Sequence, residues 1–482
     1  MNDTTGGPPV SPQKVLLPLA LCQFIASYAG TNMNVAISNI AHDIGTSVIG
    51  VQTAITLFTL TMAALMIPGS KLTDIWGRKF CFLLGLAIYG TGAVIAAASN
   101  SLPLLITGYS FFEGVGSALM IPPIYIIVTV AFSDIPSRAR AFGIVSAAAG
   151  IGAAAGPLIG GLITTAISWR ASFIAQALVV AGIFLISFRM AVPGNPPEKP
   201  RFDLLGAVLS AGGLFLIVLG VLQSRTYGWL ASRQDFSIGN TVIISKGGVS
   251  PVWIFVAAGT LVLLWFFVHI RRRERAGKEP LLATKLFRSR VSNLGLVTQN
   301  IQWLTMQGAF FVISVYLQKV QGLNAIETGL ALTPAIVGML ASSLIAERLA
   351  KRFPQRTLIW SGFVLSTAGM ILILLFGRAT SAVAASIPGL LLMGIGIGAM
   401  LTPSVNVVQS AFPEKDQGEI SGLSRSISNL GSSLGTAIAG SVLVSSLVPG
   451  NRLYGFALAT IAGFGLIGLA AAILLPRRPA RT

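Results

Sequence analysis

What most limits the fold of this chain is the recurrence, fourteen times in 482 residues, of apolar runs long enough to cross a bilayer. They lie near 15–38, 48–69, 80–98, 103–131, 140–167, 171–190, 204–223, 251–270, 292–317, 326–347, 357–377, 384–411, 420–446 and 453–475. A helix needs about 20 such residues to span the ~30 Å hydrocarbon layer. Inside that layer every backbone N–H and C=O must be satisfied within the protein, which a helix does segment by segment. With 54% hydrophobic and only 10% charged residues, the chain also lacks the polar groups that a soluble fold of this size needs on its surface. The pattern predicts an all-α membrane protein with fourteen transmembrane helices.

The net charge of +18 would suit nucleic acid if the basic residues clustered, but they are scattered in short loops between apolar runs. The expected partner is therefore the lipid bilayer and not nucleic acid. With both termini cytoplasmic, 25 of the 33 Lys and Arg lie inside, seven outside and one, Arg425, within a span. The reverse topology would invert that bias, so the positive-inside rule selects a multi-pass protein of the cytoplasmic membrane with both ends inside. Cys22 and Cys81 are too few for a disulfide framework. Residues 1–13 are polar without a basic n-region, and the first apolar run is span-length, so no cleavable signal is expected.

In the fifth run the stretch Gly150–Gly161, GIGAAAGPLIGG, puts Gly152, Gly156 and Gly160 four residues apart on one helix face, with Gly161 beside them. Another backbone can approach such a face unusually closely. Pro157 removes one intrahelical hydrogen bond and bends the helix there. A bent, glycine-faced helix is a place where two bundles can rock against each other, although ordinary close packing explains the spacing too.

The halves of the chain repeat. Gly114–Gly161 has a weak echo in Gly396–Gly440, with Gly431 and Gly435 for Gly152 and Gly156 and Thr436 for Pro157. SKLTDIWGRK at 70–79 has a degraded twin, ERLAKRFPQR, at 347–356. Two six-helix bundles, 1–191 and 291–482, with a linker at 192–290 that carries two extra spans, are the simplest organisation. Parallel repeats about a central pathway are a transporter architecture. The longest outside loop, Ser224–Ser250, is expected to hold a short hairpin around Ile238, Gly239 and Asn240.

Two of these stretches carry a resemblance. SKLTDIWGRK is similar to the loop signature of the major facilitator superfamily: Leu72, Asp74, Gly77, Arg78 and Lys79 match, while Ser70 stands for a Gly and Ile75 for a frequent Arg. GIGAAAGPLIGG resembles the motif of that superfamily's exporters, and fourteen spans with a central extra pair resemble its drug:proton antiporter branch. The resemblance implies two bundles of the major facilitator type and export of drug-like compounds in exchange for protons. On physical grounds alone, Gly77 permits a tight turn, and Asp74 can pair with Arg78 to tie two helices together. The plain alternative is a topological anchor of solvated charges.

The chain also departs from the pattern. Where the branch usually has a first-span Asp, this chain has Ala29; where it commonly has a fourth-span Arg and Gln, this chain has Ser110 and Glu113. Proton antiport is therefore not inherited through the usual groups. Two ionisable residues remain in the spans, Glu113 and Arg425. Charges there are costly and by default functional. Glu113 lies about 15 Å deep, near the midplane, where a carboxyl can bind and release a proton; a hydrogen-bonded structural Glu is the alternative. Arg425 is about a turn and a half into its span and either snorkels, pairs structurally or meets substrate.

Polar faces mark the pathway. Ser27, Thr31 and Asn34, with Gln23, share a face of the first span; Asn300, Trp303, Gln307 and Phe310 share one of the ninth. Such faces turn to a cavity or a neighbouring helix, never to lipid. Aromatic, amide and Met side chains without a charge cluster suit a hydrophobic or amphipathic small molecule. No catalytic constellation, metal-ligand spacing or phosphate loop appears, and the only histidines are His42 and His269, so neither an enzyme nor a cofactor or metal site is expected. The reading is a monomeric secondary transporter that exports an amphipathic compound by alternating access, with protons as the candidate counter-ion. The alternative is an exporter or flippase of a lipid-like metabolite, coupled otherwise.

Overall fold

A computed structural model describes residues 12–132, 135–190, 192, 201–238, 241–350, 352–379, 383–413, 416–444 and 452–476. Each apolar run is a helix. The first six are α1 (Pro12–Asp43), α2 (Val48–Trp76), α3 (Arg78–Ala97), α4 (Leu102–Ala131), α5 (Ile135–Ala166) and α6 (Trp169–Phe188). The extra pair is α7 (Leu204–Tyr227) and α8 (Pro251–Arg275). The last six are α9 (Arg290–Lys319), α10 (Ala325–Leu349), α11 (Gln355–Ala379), α12 (Ile387–Gln409), α13 (Gln417–Leu443) and α14 (Arg452–Leu474). Among the described residues, twelve helices are long and apolar enough to cross a membrane. The two others, α9 and α13, have the length (30 and 27 residues) but are more polar, carrying the Gln-rich stretch 299–307 and the Ser-rich stretch 421–433.

Helix ends follow local chemistry. Ser47 and Ser168 accept from the backbone N–H groups of Gly50 (3.1 Å) and Ala171 (3.2 Å), and Asn324 with Glu327 forms a reciprocal capping box at the start of α10. The motif at 70–79 is less of a loop than its spacing implies. Helix α2 runs on through Trp76, and Gly77 alone, at φ +99°, turns the chain into α3. Its last turns stay helical because Ser70, Lys71 and Thr73 are buried. Helix α4 contains a feature without sequence signal: Ile106–Glu113 is a π-helix between the α-helical segments Leu102–Leu105 and Gly114–Ala131.

Successive helices run in opposite directions, so the bundle has two ends, named here by Gly77 (between α2 and α3) and Asp43 (last residue of α1). The two halves pack alike. Helix α5 lies on α1, with Gly152 against the Phe24 carbonyl and Gly156 against Thr31; α13 lies on α9, with Gly431 and Gly435 against the carbonyls of Asn300 and Leu304. Helix α4 meets α3 through Gly85, Gly92, Gly108 and Gly116, as α12 meets α11 through Gly362, Gly369, Gly389 and Gly396. Helices α7 and α8 pair through Gly213 and Gly259, and α7 packs on α2 and α13 in a small cluster of Leu60, Val218 and Ala437. The hairpin of the long loop is present as β1 (Phe236–Ile238) and β2 (Thr241–Ile244), antiparallel with Ile238 opposite Thr241. Its tip, Gly239 and Asn240, lies outside the described residues, as do the expected linker Pro193–Pro200 and the basic residues Arg477, Arg478 and Arg481.

Candidate functional site

The halves meet along α2 and α13, which cross side by side through the bundle. Ser433 donates to the Thr56 carbonyl (3.1 Å), Ser426 to Ala63 (2.5 Å) and Ser70 to Gly418 (3.2 Å), and Gln52 bonds the Thr436 carbonyl. Small hydroxyls on a Gly- and Ser-rich face let the backbones approach and hold the contact by hydrogen bonds. At the Asp43 end α1 and α9 close on each other. Ser314 and Gln318 donate to the Asn34 carbonyl (2.6 and 2.9 Å), and the Gln318 Oε1 accepts from the Ser38 N–H (3.1 Å). Beside them Thr165 of α5 accepts from the Ile326 N–H of α10 (3.1 Å).

Between these contacts, in the middle of the bundle, lies a cavity of about 70 Å³. Helix α1 contributes Gln23, Ala26, Ser27, Gly30 and Thr31; α2 contributes Phe58, Thr59, Met62 and Met66; Ile121 and Ala153 come from α4 and α5. From the other half come Trp303 and Gln307 of α9 and Arg425, Ser428, Asn429 and Ser432 of α13. Amide, hydroxyl, aromatic and thioether groups alternate around it, the composition expected where an amphipathic ligand must be held without a fixed geometry.

Of the residues expected on the pathway, Ser27, Thr31, Trp303, Gln307 and Arg425 are brought together here. Asn34, Asn300 and Phe310 are not. Asn34 belongs to the α1–α9 closure, Asn300 donates to the Ile427 carbonyl (2.9 Å) in the α9–α13 packing, and Phe310 is buried in the core. A polar face on a membrane helix serves interhelical bonding as readily as a cavity, and spacing alone does not separate the two. Beyond Arg425, the contribution of α13 is not singled out by spacing, although its six serines between 421 and 433 mark a polar helix.

Arg425 does not snorkel. Its guanidinium bonds the Tyr125 hydroxyl and lies over the Tyr125 ring at 4.9 Å, within the cavity wall. The Tyr125 hydroxyl in turn donates to Gln23 Oε1 (3.4 Å), and Gln23 to Ser27 (3.4 Å), so one polar chain crosses from α13 to α1.

Glu113 is elsewhere. It closes the π-helical segment, fully buried inside the first half, beside Tyr89 of α3 and Tyr109 one turn back. Neither carboxyl oxygen has a hydrogen-bond partner, while the Tyr89 hydroxyl donates to Gln176 of α6 (2.8 Å) and Tyr109 to the Ala29 carbonyl (3.1 Å). Tyr109 stacks on Phe58 at 4.6 Å between centroids, and Phe58 lines the cavity. The position of the missing fourth-span base, Ser110, donates to the Ala54 carbonyl of α2 (2.7 Å).

The motif residues divide between two contacts. Gly152, Gly156 and Gly160 face α1, inside one half; Pro157 and Gly161 face α10 of the other, where the Pro157 carbonyl abuts Gly329 and a Cβ on Gly161 would stand 2.6 Å from the Ala325 oxygen. In the 70–79 motif, among the described residues, Asp74 forms no ion pair with Arg78. The link across the halves is made instead by Lys71 with Glu419 of α13 (3.7 Å) and by Ser70. Lys79 caps the end of α6 at the Phe188 carbonyl (2.8 Å), and Leu72 is half-buried behind them.

A strap between α8 and α9 covers this end. Leu281, Leu282 and Leu286 bury against Ile67, Ile270 and Ile420, and the Ala283 N–H donates to Glu419 (3.0 Å). Asp203, just before α7, accepts from the N–H groups of Gly206 (3.0 Å) and Leu281 (3.2 Å), with His269 at 2.9 Å and Arg273 at 3.5 Å. Burial pushes the Asp203 carboxyl up, but His269, the Gly206 N–H and Arg273 more than offset it and hold the group below its ordinary range.

Known proteins resemble this chain in sequence or in fold. The chain is 26% identical over 427 residues to the probable actinorhodin transporter of Streptomyces coelicolor, covering 87% of this chain and 70% of that one. It is 29% identical over 466 residues to the cephamycin export protein CmcT of Amycolatopsis lactamdurans, covering 95% and 90%. A crystal structure of the peptide transporter POT in complex with sulfate superposes with a TM-score of 0.67 over 99% of this chain and 96% of that one, at 17% identity, a likeness of fold. The sequence profile of the Major Facilitator Superfamily matches at 19–247, 204–436 and 302–482, and with its doubled bundle and central cavity the chain belongs to that superfamily, a multi-pass family of membrane transporters.

Proposed function

We propose that the protein exports a hydrophobic or amphipathic small molecule across the cytoplasmic membrane by alternating access. The observation that carries this reading is the central cavity, lined by both halves, with Gln307 of α9 donating to the Gly30 carbonyl of α1 (3.2 Å) across it. Its 70 Å³ is far below the ~300 Å³ or more of a drug-sized site. Substrate therefore enters only when the halves part. The relatives named as a transporter of actinorhodin and an exporter of cephamycin support a bulky natural product as cargo.

In this reading all fourteen helices cross the membrane, α9 and α13 included, because their polar faces are turned to the cavity and to neighbours. The halves are 1–191 and 291–482, with 192–290 as the linker carrying the extra pair. Both termini are cytoplasmic, the Gly77 end is inside, and one chain suffices. Protons are the counter-ion, carried by Glu113: a buried carboxyl beside Tyr89 and Tyr109, one aromatic pair away from the cavity wall, can be charged in one conformation and neutral in the other.

The test is transport in liposomes reconstituted with the full chain. A pH gradient and a sodium gradient are imposed separately while lipophilic dyes and a labelled phospholipid are followed. Accumulation of dye driven by the pH gradient alone is the expected result. Movement of the phospholipid only, or dye movement indifferent to both gradients, contradicts proton-coupled export.

A further inference from the structure

We infer that the exported molecule carries a negative charge, an aromatic or otherwise apolar body with an anionic oxygen group, and that Arg425 is the residue that selects it. The inference rests on the export reading above and narrows it to a substrate class.

The argument begins with charge. Among the described residues, Arg425 is the only charged side chain in the cavity wall, and no carboxylate lines that wall. The nearest acid along its own helix, Glu419, is engaged by Lys71 and by the Ala283 N–H on the Gly77 side. Glu113 lies in the interior of the first half, beside Tyr89 and Tyr109, and does not reach the cavity. The guanidinium is left with a neutral partner, the Tyr125 hydroxyl, and with the face of the Tyr125 ring.

A guanidinium has five N–H donors in a planar fork, so most of its bonding capacity is unspent. A half-buried cation facing a cavity without a counter-ion is unfavourable, and a ligand that brings the counter-ion relieves that cost while gaining two parallel charge-assisted hydrogen bonds. Planar anionic groups such as carboxylates, phenolates and enolates match the fork. Trp303 and Phe58 on the cavity wall supply flat apolar surface for the rest of the molecule, and Met62 adapts to its shape. A cationic amphiphile would meet Arg425 at close range in a poorly solvated cavity, which disfavours it.

Three matched ligands test this on the full-length protein in detergent: 1-pyrenebutyrate, its neutral primary amide and 1-pyrenebutylamine, with binding followed by fluorescence polarisation. The carboxylate should bind about tenfold more tightly than the amide, the size of one charge-assisted hydrogen bond, and the amine most weakly. Arg425→Gln should bring the carboxylate to the level of the amide, and Arg425→Lys should keep part of the difference. Equal binding of carboxylate and amide, or tightest binding of the amine, overturns the inference. The wild-type order alone decides this if Arg425→Gln fails to fold. If the variant folds and keeps the preference, Arg425 is not the selector. Binding of the amide without preference for the carboxylate leaves the export reading intact, whereas no binding of any of the three to a protein that melts cooperatively removes both.

Discussion

At the residue scale the account depends on a few side chains with no room or no partner. Gly161 touches the Ala325 carbonyl across the boundary between halves, at the Asp43 end. Gly161→Leu should wedge α5 from α10 there and favour states open at that end. Labelling of a cysteine placed at Thr165 by an impermeant reagent should rise severalfold, and unchanged labelling would reduce the glycine to passive packing. Gly156→Leu acts differently, because Gly156 faces Thr31 of α1 within one half. It should abolish transport by spreading α1 from α5, and normal transport would mean that face is not needed. Glu113→Gln preserves shape but removes the charge change, so downhill flux should persist and pH-driven accumulation should vanish. Accumulation retained in the Gln variant would make Glu113 structural. Arg425 and Glu113 were legible as outliers because charge is rare in an apolar run. Their neighbours, Tyr125 and the Tyr89–Tyr109 pair, were not, because nothing local in a sequence says which helices meet.

At the element scale, the helices were readable from length, and twelve of them from hydropathy as well, since the bilayer imposes both. Three features were not. The π-helical turn of α4 depends on how α3 and α4 approach through Gly92 and Gly108, a contact between segments. The helical continuation of α2 through its motif depends on burial under α13 and the strap. The strap itself read only as part of the linker 192–290, because Leu281, Leu282 and Leu286 are too short an apolar stretch, set among charged residues, to mark an element. Its anchor is Asp203, and here pH enters. The folded carboxyl sits below its ordinary range, so its contribution to stability is full above the ordinary carboxylate value and is lost as pH falls through the folded one. Melting of the detergent-solubilised protein should weaken as pH drops below about 4 in the wild type and show less of that dependence in Asp203→Asn. The variant should lose about 2 kcal/mol near neutral pH, the worth of one or two charge-assisted hydrogen bonds. An Asp203→Asn protein as stable as wild type at pH 7 would mean the strap is held by its leucines alone.

At the scale of the whole molecule, the halves are held by two kinds of contact. The α2–α13 crossing runs the depth of the bundle, while α1 with α9 and α5 with α10 close the Asp43 end, with one further α9–α1 bond from Gln307 to the Gly30 carbonyl at the cavity. An interface of a few hydrogen bonds, each worth about 1 kcal/mol, can be exchanged for another without unfolding either half. The doubled packing of α1–α5 and α9–α13 supplies two similar rigid bodies for that exchange. The repeat was visible in the spacing of Gly152 and Gly156 against Gly431 and Gly435; the position of the cavity was not, because it belongs to the way the bodies face each other. The most direct measurement is the distance between spin labels across each end in one reconstituted preparation, at exposed Ile167 and Lys319 for the Asp43 end and at exposed Phe80 and Phe353 for the Gly77 end. Alternating access predicts that when a transported dye or a pH step is applied, one distance lengthens as the other shortens. Two distances that stay fixed, or that lengthen together, while the dye is being moved would contradict it.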